Sequence, residues 1–169
     1  ALRQAVAKGN AEAQFRLGML YANGEGVELD HGKAAELILA AAKQSHPTAQ
    51  TTLGWLYANG YGVEQDDQRA RTWYQRAAAL GDLKAQYTLG TLYRFGQLGA
   101  DKDGAQAVHW YLQAANQGLA AAQFNIAETY HFGRGVGKDR KEAEKWYRLA
   151  AEQGIVAAEY RLKRYFEDP

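Results

Sequence analysis

The sequence predicts an all-α protein built from repeated antiparallel helix pairs, and three observations carry that expectation. Alanine, the best helix former, occurs 32 times, whereas proline, the worst, occurs only at Pro47 and Pro169. A frame of spaced residues recurs four times along the 169 residues, with a period of 36 or 37. Fifteen of the 18 glycines fall on positions of that frame, as turn punctuation would.

Each unit opens on Ala-Gln: Ala13-Gln14, Ala49-Gln50, Ala85-Gln86 and Ala122-Gln123. Leu17-Gly18, Leu53-Gly54, Leu89-Gly90 and the variant Ile126-Ala127 follow, then Tyr21, Tyr57, Tyr93 and Tyr130. At about 100° per residue, Ala13, Leu17, Leu20 and Tyr21 share one face, so this stretch is the first helix of the unit. A glycine inside a helix costs about 1 kcal/mol relative to alanine. The recurrence of Gly18, Gly54 and Gly90 therefore predicts close approach of another helix, and Ala127 is the smallest replacement.

The first helix should stop at a Gly-x-Gly loop (Gly24 and Gly26, Gly60 and Gly62, Gly96 and Gly99, Gly133 and Gly135). Asp30, Asp66, Asp103 and Asp139 then sit where a side chain caps the second helix, and Asp103 with Gln106 and Asp139 with Glu142 have capping-box spacing. The second stripe runs through Ala34, Ala70, Ala107 and Ala143 and through Leu37-Ile38, Trp73-Tyr74, Trp110-Tyr111 and Trp146-Tyr147. Because Trp73, Trp110 and Trp146 recur at the unit period, they are expected in the packing between repeats rather than on a ligand ladder. Gly81, Gly118 and Gly154, with Ser45 in the first unit, end the second helix. Asn10, His46 and Asp82 can cap the next first helix, and Pro47 suits a first helical position.

The repeats thus span 11–46, 47–82, 83–119 and 120–155, within one solenoid domain over 1–169. Residues 1–10 read as the tail of a preceding unit, and 156–169 as a partial repeat or capping helix. The absence of an initiator Met agrees with an excerpt or a processed chain. The extra residue of the third unit falls between Gly96 and Gly99, in a loop that tolerates it.

Composition excludes several chemistries. Twenty Lys and Arg against 19 Asp and Glu give a net charge of +1, so nucleic acid is not an expected partner. No run of about 18 apolar residues is present, so membrane insertion is not expected. Without cysteine there is no disulfide or thiol nucleophile, and the single serine, Ser45, leaves no serine hydrolase. His31, His46, His109 and His131 share no metal-ligand spacing, so neither a metal nor another cofactor is expected. Gly133–Lys138 lacks the first glycine and the Ser/Thr of a phosphate loop and follows a helix rather than a strand. Asp101–Gly104 lacks the remaining ligands of a calcium loop.

The recurring frame, Ala-x-Ala-Gln-x-x-Leu-Gly-x-x-Tyr-x-x-Gly-x-Gly-Val, then Asp, then Ala-x-x-Trp-Tyr-x-x-Ala-Ala, resembles the Sel-one-like repeat (SLR) family, relatives of the tetratricopeptide repeats. The resemblance implies a right-handed superhelical solenoid of α/α pairs, with the first helix of each pair lining the concave side. It also implies a non-catalytic scaffold or adaptor role in protein–protein interaction. The residues leave the compartment open, and the resemblance favours a periplasmic or secreted bacterial setting. The departures from the pattern are Leu37-Ile38, Gly99-Ala100 and Ala127.

Packing accounts for the positions that repeat, so specificity is expected where the first helices differ. The candidate partner-binding residues are Phe15, Met19, Thr51, Trp55, Tyr87, Thr91, Arg94, Glu128 and His131. Phe15, Thr51 and Tyr87 border the packed stripe, while Met19, Trp55, Thr91 and Glu128 point furthest from it. A protein or peptide partner on this surface is the first reading. A carbohydrate or cell-wall ligand stacked on Trp55 and Tyr87 is the alternative. No nucleophile, dyad or metal set is present, so the chain does not read as an enzyme. Weak head-to-tail self-association is also expected, since a repeat at the end of an array lacks a neighbour.

Overall fold

The structure, a computed structural model, describes residues 1–166. The partial repeat or capping helix expected over 156–169 therefore extends three residues, 167–169, outside the described residues. Ten helices follow in order: α1 (Leu2–Ala7), α2 (Ala11–Asn23), α3 (His31–Lys43), α4 (Pro47–Asn59), α5 (Asp67–Ala79), α6 (Leu83–Phe95), α7 (Gly104–Asn116), α8 (Ala120–Phe132), α9 (Arg140–Glu152) and α10 (Val156–Tyr165). Among the described residues there is no strand. The helices group into two compact units, Ala1–Ala85 and Gln86–Pro169. In the first, α1 packs on α2, α2 on α3, α3 on α4 and α4 on α5; in the second, α7 packs on α8, α8 on α9 and α9 on α10.

The frame residues form the core of each unit. Ile38, Ala41, Ala49, Leu53, Ala70 and Ala77 are fully buried in the first, and Leu89, Ala114, Ala122, Ile126, Tyr147 and Ala150 in the second. Burying a Leu or Ile side chain contributes about 1.5–3 kcal/mol, so the apolar stripe rather than helix propensity dominates stability.

The helical glycines allow the close approach that their recurrence predicts. A Cβ at Gly54 would lie 3.0 Å from the Tyr74 ring and 3.1 Å from the Ala70 carbonyl. At Gly90 it would lie 2.6 Å from the Tyr111 ring. The tyrosines of the Trp73-Tyr74 and Trp110-Tyr111 pairs fill this contact, which alters the expectation for the tryptophans. Trp146 is buried, but Trp73 and Trp110 are only half-buried, while Tyr74, Tyr111 and Tyr147 behind them are buried. Burial pushes the Tyr74 phenol up to about 12.

The aspartates cap as their spacing predicts. Oδ1 of Asp30, Asp66, Asp103 and Asp139 accepts from the amides of Lys33, Arg69, Gln106 and Glu142 at 2.9, 2.8, 3.0 and 3.0 Å. Each such cap contributes about 1 kcal/mol. The reciprocal half of the capping box does not form at Glu142, whose carboxylate takes Lys145 and the Trp146 indole N–H instead. His46 caps α4: its Nδ1 accepts from the Ala49 amide at 3.1 Å, so the proton resides on Nε2, which faces Glu12 at 3.0 Å.

The second glycine of the loop has its own reason. A Cβ at Gly62 would meet the His31 carbonyl oxygen at 1.9 Å, and one at Gly135 would meet the Gly104 carbonyl carbon and oxygen at 2.3 Å. Both glycines also have positive φ, at 70° and 84°. These two loops thus lie directly on the start of the preceding second helix, which seats their middle residues, Tyr61 and Arg134, beside that helix.

Candidate functional site

In the first unit, Met19 of α2 and Trp55 of α4 come together. They line a pocket of about 350 Å³ with Ala22, Asn23, His31, Ile38, Thr52, Leu56 and Tyr61. Trp55 is 48% exposed although it is large and apolar. Its ring stacks on Tyr61, with centroids 5.0 Å apart and planes 6° from parallel, and His31 meets Tyr61 edge-on at 5.6 Å. The pocket wall is therefore an aromatic pair with an open face, beside the polar groups of Asn23 and Thr52.

Phe15 and Thr51 stand outside this pocket. Phe15 is half-buried with its ring 5.1 Å from His46. The Thr51 hydroxyl donates to Asp82 Oδ1 at 2.8 Å, and that oxygen also accepts the Ala85 amide at 2.9 Å. Thr51 thus steadies a helix cap.

In the second unit the variable positions form a polar network. Asn125 Nδ2 donates to the Tyr87 hydroxyl at 3.3 Å, and Arg94 Nη1 donates to Asn125 Oδ1 at 3.1 Å. The Thr91 and Tyr111 hydroxyls lie 3.0 Å apart. Glu128 departs from the expectation that it points outward. It is buried, and Arg161 of α10 donates to its carboxylate through Nε at 2.7 Å and Nη2 at 3.3 Å. The Tyr147 hydroxyl donates to the same carboxylate at 2.5 Å. Periodicity on α8 alone does not register that α10 covers this face. Burial would push the Glu128 carboxyl up, but the hydrogen bonds from Arg161 and Tyr147 outweigh it and hold the group below its ordinary range. Burial, reinforced by the bond to Glu128, raises the Tyr147 phenol.

His131 is drawn into the same cluster. Its ring stacks on Phe132 at 4.5 Å and meets Tyr165 and Phe166 edge-on at 4.9 and 5.4 Å. Nδ1 lies 3.2 Å from the Tyr147 hydroxyl, whose own proton goes to Glu128, so Nδ1 carries the donated proton. Burial lowers the affinity of this imidazole for a second proton, and Arg161, Arg140 and Lys138 act in the same direction against the pull of Glu128.

A second pocket, of about 340 Å³, lies in this unit and contains Arg94. Phe95, Lys102, Gly104, Ala107, Tyr111, Thr129, Arg134 and Gly135 complete its lining. Six of its residues occupy the repeat positions of six in the aromatic pocket: Arg94 corresponds to Ala22, Phe95 to Asn23, Gly104 to His31, Tyr111 to Ile38, Thr129 to Leu56 and Arg134 to Tyr61. One construction, a first helix, the next second helix, the following first helix and its loop, is built twice with different chemistry. Sequence reasoning missed His31, Tyr61, Lys102 and Arg134. A signal existed for two of them, since Tyr61 and Arg134 each fill the variable place between two frame glycines.

Among the described residues, no group of three or more His, Asp or Glu is placed to hold a metal, and no helix is long and apolar enough to cross a membrane.

Helix hairpins packed neighbour on neighbour around a recurrent alanine and tyrosine core define a helical-repeat protein. The chain belongs to the Sel1 repeat family, which matches at residues 11–46, 47–82, 83–119 and 120–155. Proteins of this family serve in general as protein-interaction scaffolds. A protective antigen of uropathogenic Escherichia coli with an SLR fold is 34% identical, with a TM-score of 0.92 over 95% of this chain and 34% of that one. A Sel1 repeat protein from Oxalobacter formigenes is 38% identical, with a TM-score of 0.86 over 95% of this chain and 65% of that one. The Helicobacter pylori cysteine-rich protein B shares the fold at 22% identity and a TM-score of 0.59, over 77% of this chain and 92% of that one. The chain thus spans about a third of the first protein and just under two thirds of the second. No curated protein sequence matches significantly.

Proposed function

We propose that this chain is a non-catalytic scaffold that binds a peptide or protein partner through the variable residues of its first helices. The observation that supports this reading most directly is the aromatic pocket in the first unit. Trp55 is half exposed, stacked on Tyr61 and flanked by Met19, and the core does not require it there. Tryptophan is enriched among residues that dominate binding energy. In the first unit Phe15 and Thr51 belong to the variable set beside this pocket; in the second unit Tyr87, Thr91 and Arg94 form a polar set of their own. Glu128 and His131 act from behind, by fixing α8 against α10. The four repeats serve as one solenoid domain over 1–169. Weak head-to-tail self-association belongs to the same reading, supported by Val156 and Tyr160 of α10, which are 73% and 51% exposed.

The test is partner capture with the wild-type chain and with Trp55→Ala. We expect the variant to keep its helical circular dichroism and urea midpoint, because the residue lies off the packed stripe. Partner affinity should fall by about 2 kcal/mol, roughly thirtyfold. If the variant unfolds while its folded fraction binds normally, Trp55 belongs to the core and the assignment is wrong. Binding to glycans in place of a protein, with the same dependence on Trp55, would instead support the carbohydrate alternative, for which the open aromatic face beside Asn23 and Thr52 is suited.

A further inference from the structure

We propose that the pocket between α6, α7 and α8 binds a carboxylate of the partner, that is, an acidic side chain of a docking peptide. The inference rests on the scaffold reading above and adds the chemistry that one pocket selects. Three cations, Arg94, Lys102 and Arg134, line a space of about 340 Å³, and no Asp or Glu lines it. None of the three forms an ion pair among the described residues. Two acids flank Lys102 in sequence, Asp101 and Asp103; both are exposed, neither lines the pocket, and Asp103 Oδ1 accepts the Gln106 amide.

Two features make this more than an accumulation of surface charge. The guanidinium of Arg94 lies over the Phe95 ring at 5.1 Å and that of Arg134 over the Phe132 ring at 4.9 Å. Arg94 is further held by its bond to Asn125. Seated arginine forks lose little freedom when they meet a carboxylate, and their planar donors match its two oxygens. The second feature is the contrast with the equivalent pocket. Ala22 and Tyr61 occupy there the repeat positions that Arg94 and Arg134 occupy here. The scaffold therefore does not require cations at these positions, and their charge is free to serve recognition. Phe95, half exposed, provides an apolar wall for the methylenes of a Glu side chain.

The probe is a capped hexaglutamate peptide, titrated into isotope-labelled protein at low ionic strength, with capped hexaglutamine and inorganic phosphate as parallel arms. Hexaglutamate should shift the amide resonances of Phe95, Lys102 and Arg134, and hexaglutamine should leave them in place. Arg134→Gln and Lys102→Gln, both in exposed loops, should each weaken hexaglutamate about tenfold, while Lys43→Gln in the first unit should not. Added salt should weaken binding further. Equal binding of hexaglutamine, an unchanged affinity in Arg134→Gln, or tighter binding of phosphate than of hexaglutamate would overturn the carboxylate assignment. The two readings fail separately. Partner capture that depends on Trp55 but not on Arg134 removes only this pocket, and hexaglutamate binding with no effect of Trp55→Ala on capture removes only the other.

Discussion

Gln50 shows how a single repeat position fails and how it could be mended. In three units the frame glutamine bonds a glutamine that follows the second helix: Gln44 to Gln14, Gln117 to Gln86 and Gln153 to Gln123, each at 2.7 Å. In the second unit Leu80 occupies that place, 49% exposed, and Gln50 Oε1 is buried with no hydrogen-bond partner. A buried acceptor without a donor forfeits its solvation, and a restored bond contributes about 0.5–1.5 kcal/mol. Leu80→Gln should therefore raise stability by about 1 kcal/mol, read as a higher urea midpoint. An unchanged or lower midpoint would show that the amide does not reach Gln50 from that position.

The helix-to-helix contacts carry most of the remaining specificity. Alanine at position 90 would gain about 1 kcal/mol of helix propensity, but its Cβ would stand 2.6 Å from the ring of Tyr111, which is 1% exposed and cannot retreat. Overpacking of this kind costs about 1–3 kcal/mol, so Gly90→Ala should be destabilising. Gly137→Ala, with no atom within 4 Å of the added Cβ, is the neutral control. The docking of α10 on α8 and α9 should depend on pH. His131 is lowered from its ordinary 6.5, so the folded protein binds that proton more weakly than the unfolded chain does. Its contribution is complete above 6.5 and is lost as pH falls through the folded value. Glu128, lowered from 4.5, has the same sign at lower pH. Urea midpoints at pH 7.5 and 5.5 should fall for the wild type and fall less for His131→Phe, in which that proton site is gone; equal slopes would remove His131 from the account.

At the scale of the whole molecule, a chain of hairpins is stabilised by terms between neighbours, and every repeat leaves one face for the next to cover. The exposed Val156 and Tyr160 of α10 extend such a face, with Arg164 alongside. Sedimentation should show a weak, concentration-dependent increase in mass, and Tyr160→Lys should suppress it. A strict monomer at millimolar protein would count against self-association. A net charge of +1 hides the local contrast between an aromatic pocket in one unit and a cationic pocket in the other.

The repeat period, the helices and their ends could be read from residues alone, because propensity, spacing and capping act within a few residues of sequence. Gly54 and Gly90 even announced the close approach that Tyr74 and Tyr111 make from the next helix. The burial of Glu128 could not be read this way, since Arg161 reaches it from 33 residues away. Nor could the pairing of Trp55 with Tyr61, or of Arg94 with Arg134 around one pocket. A helical wheel gives the direction of a side chain from its own axis and nothing of what the neighbouring axis places there. Tertiary packing decided which variable residues became walls of a pocket and which became supports behind it, because those distances depend on how the hairpins close on one another.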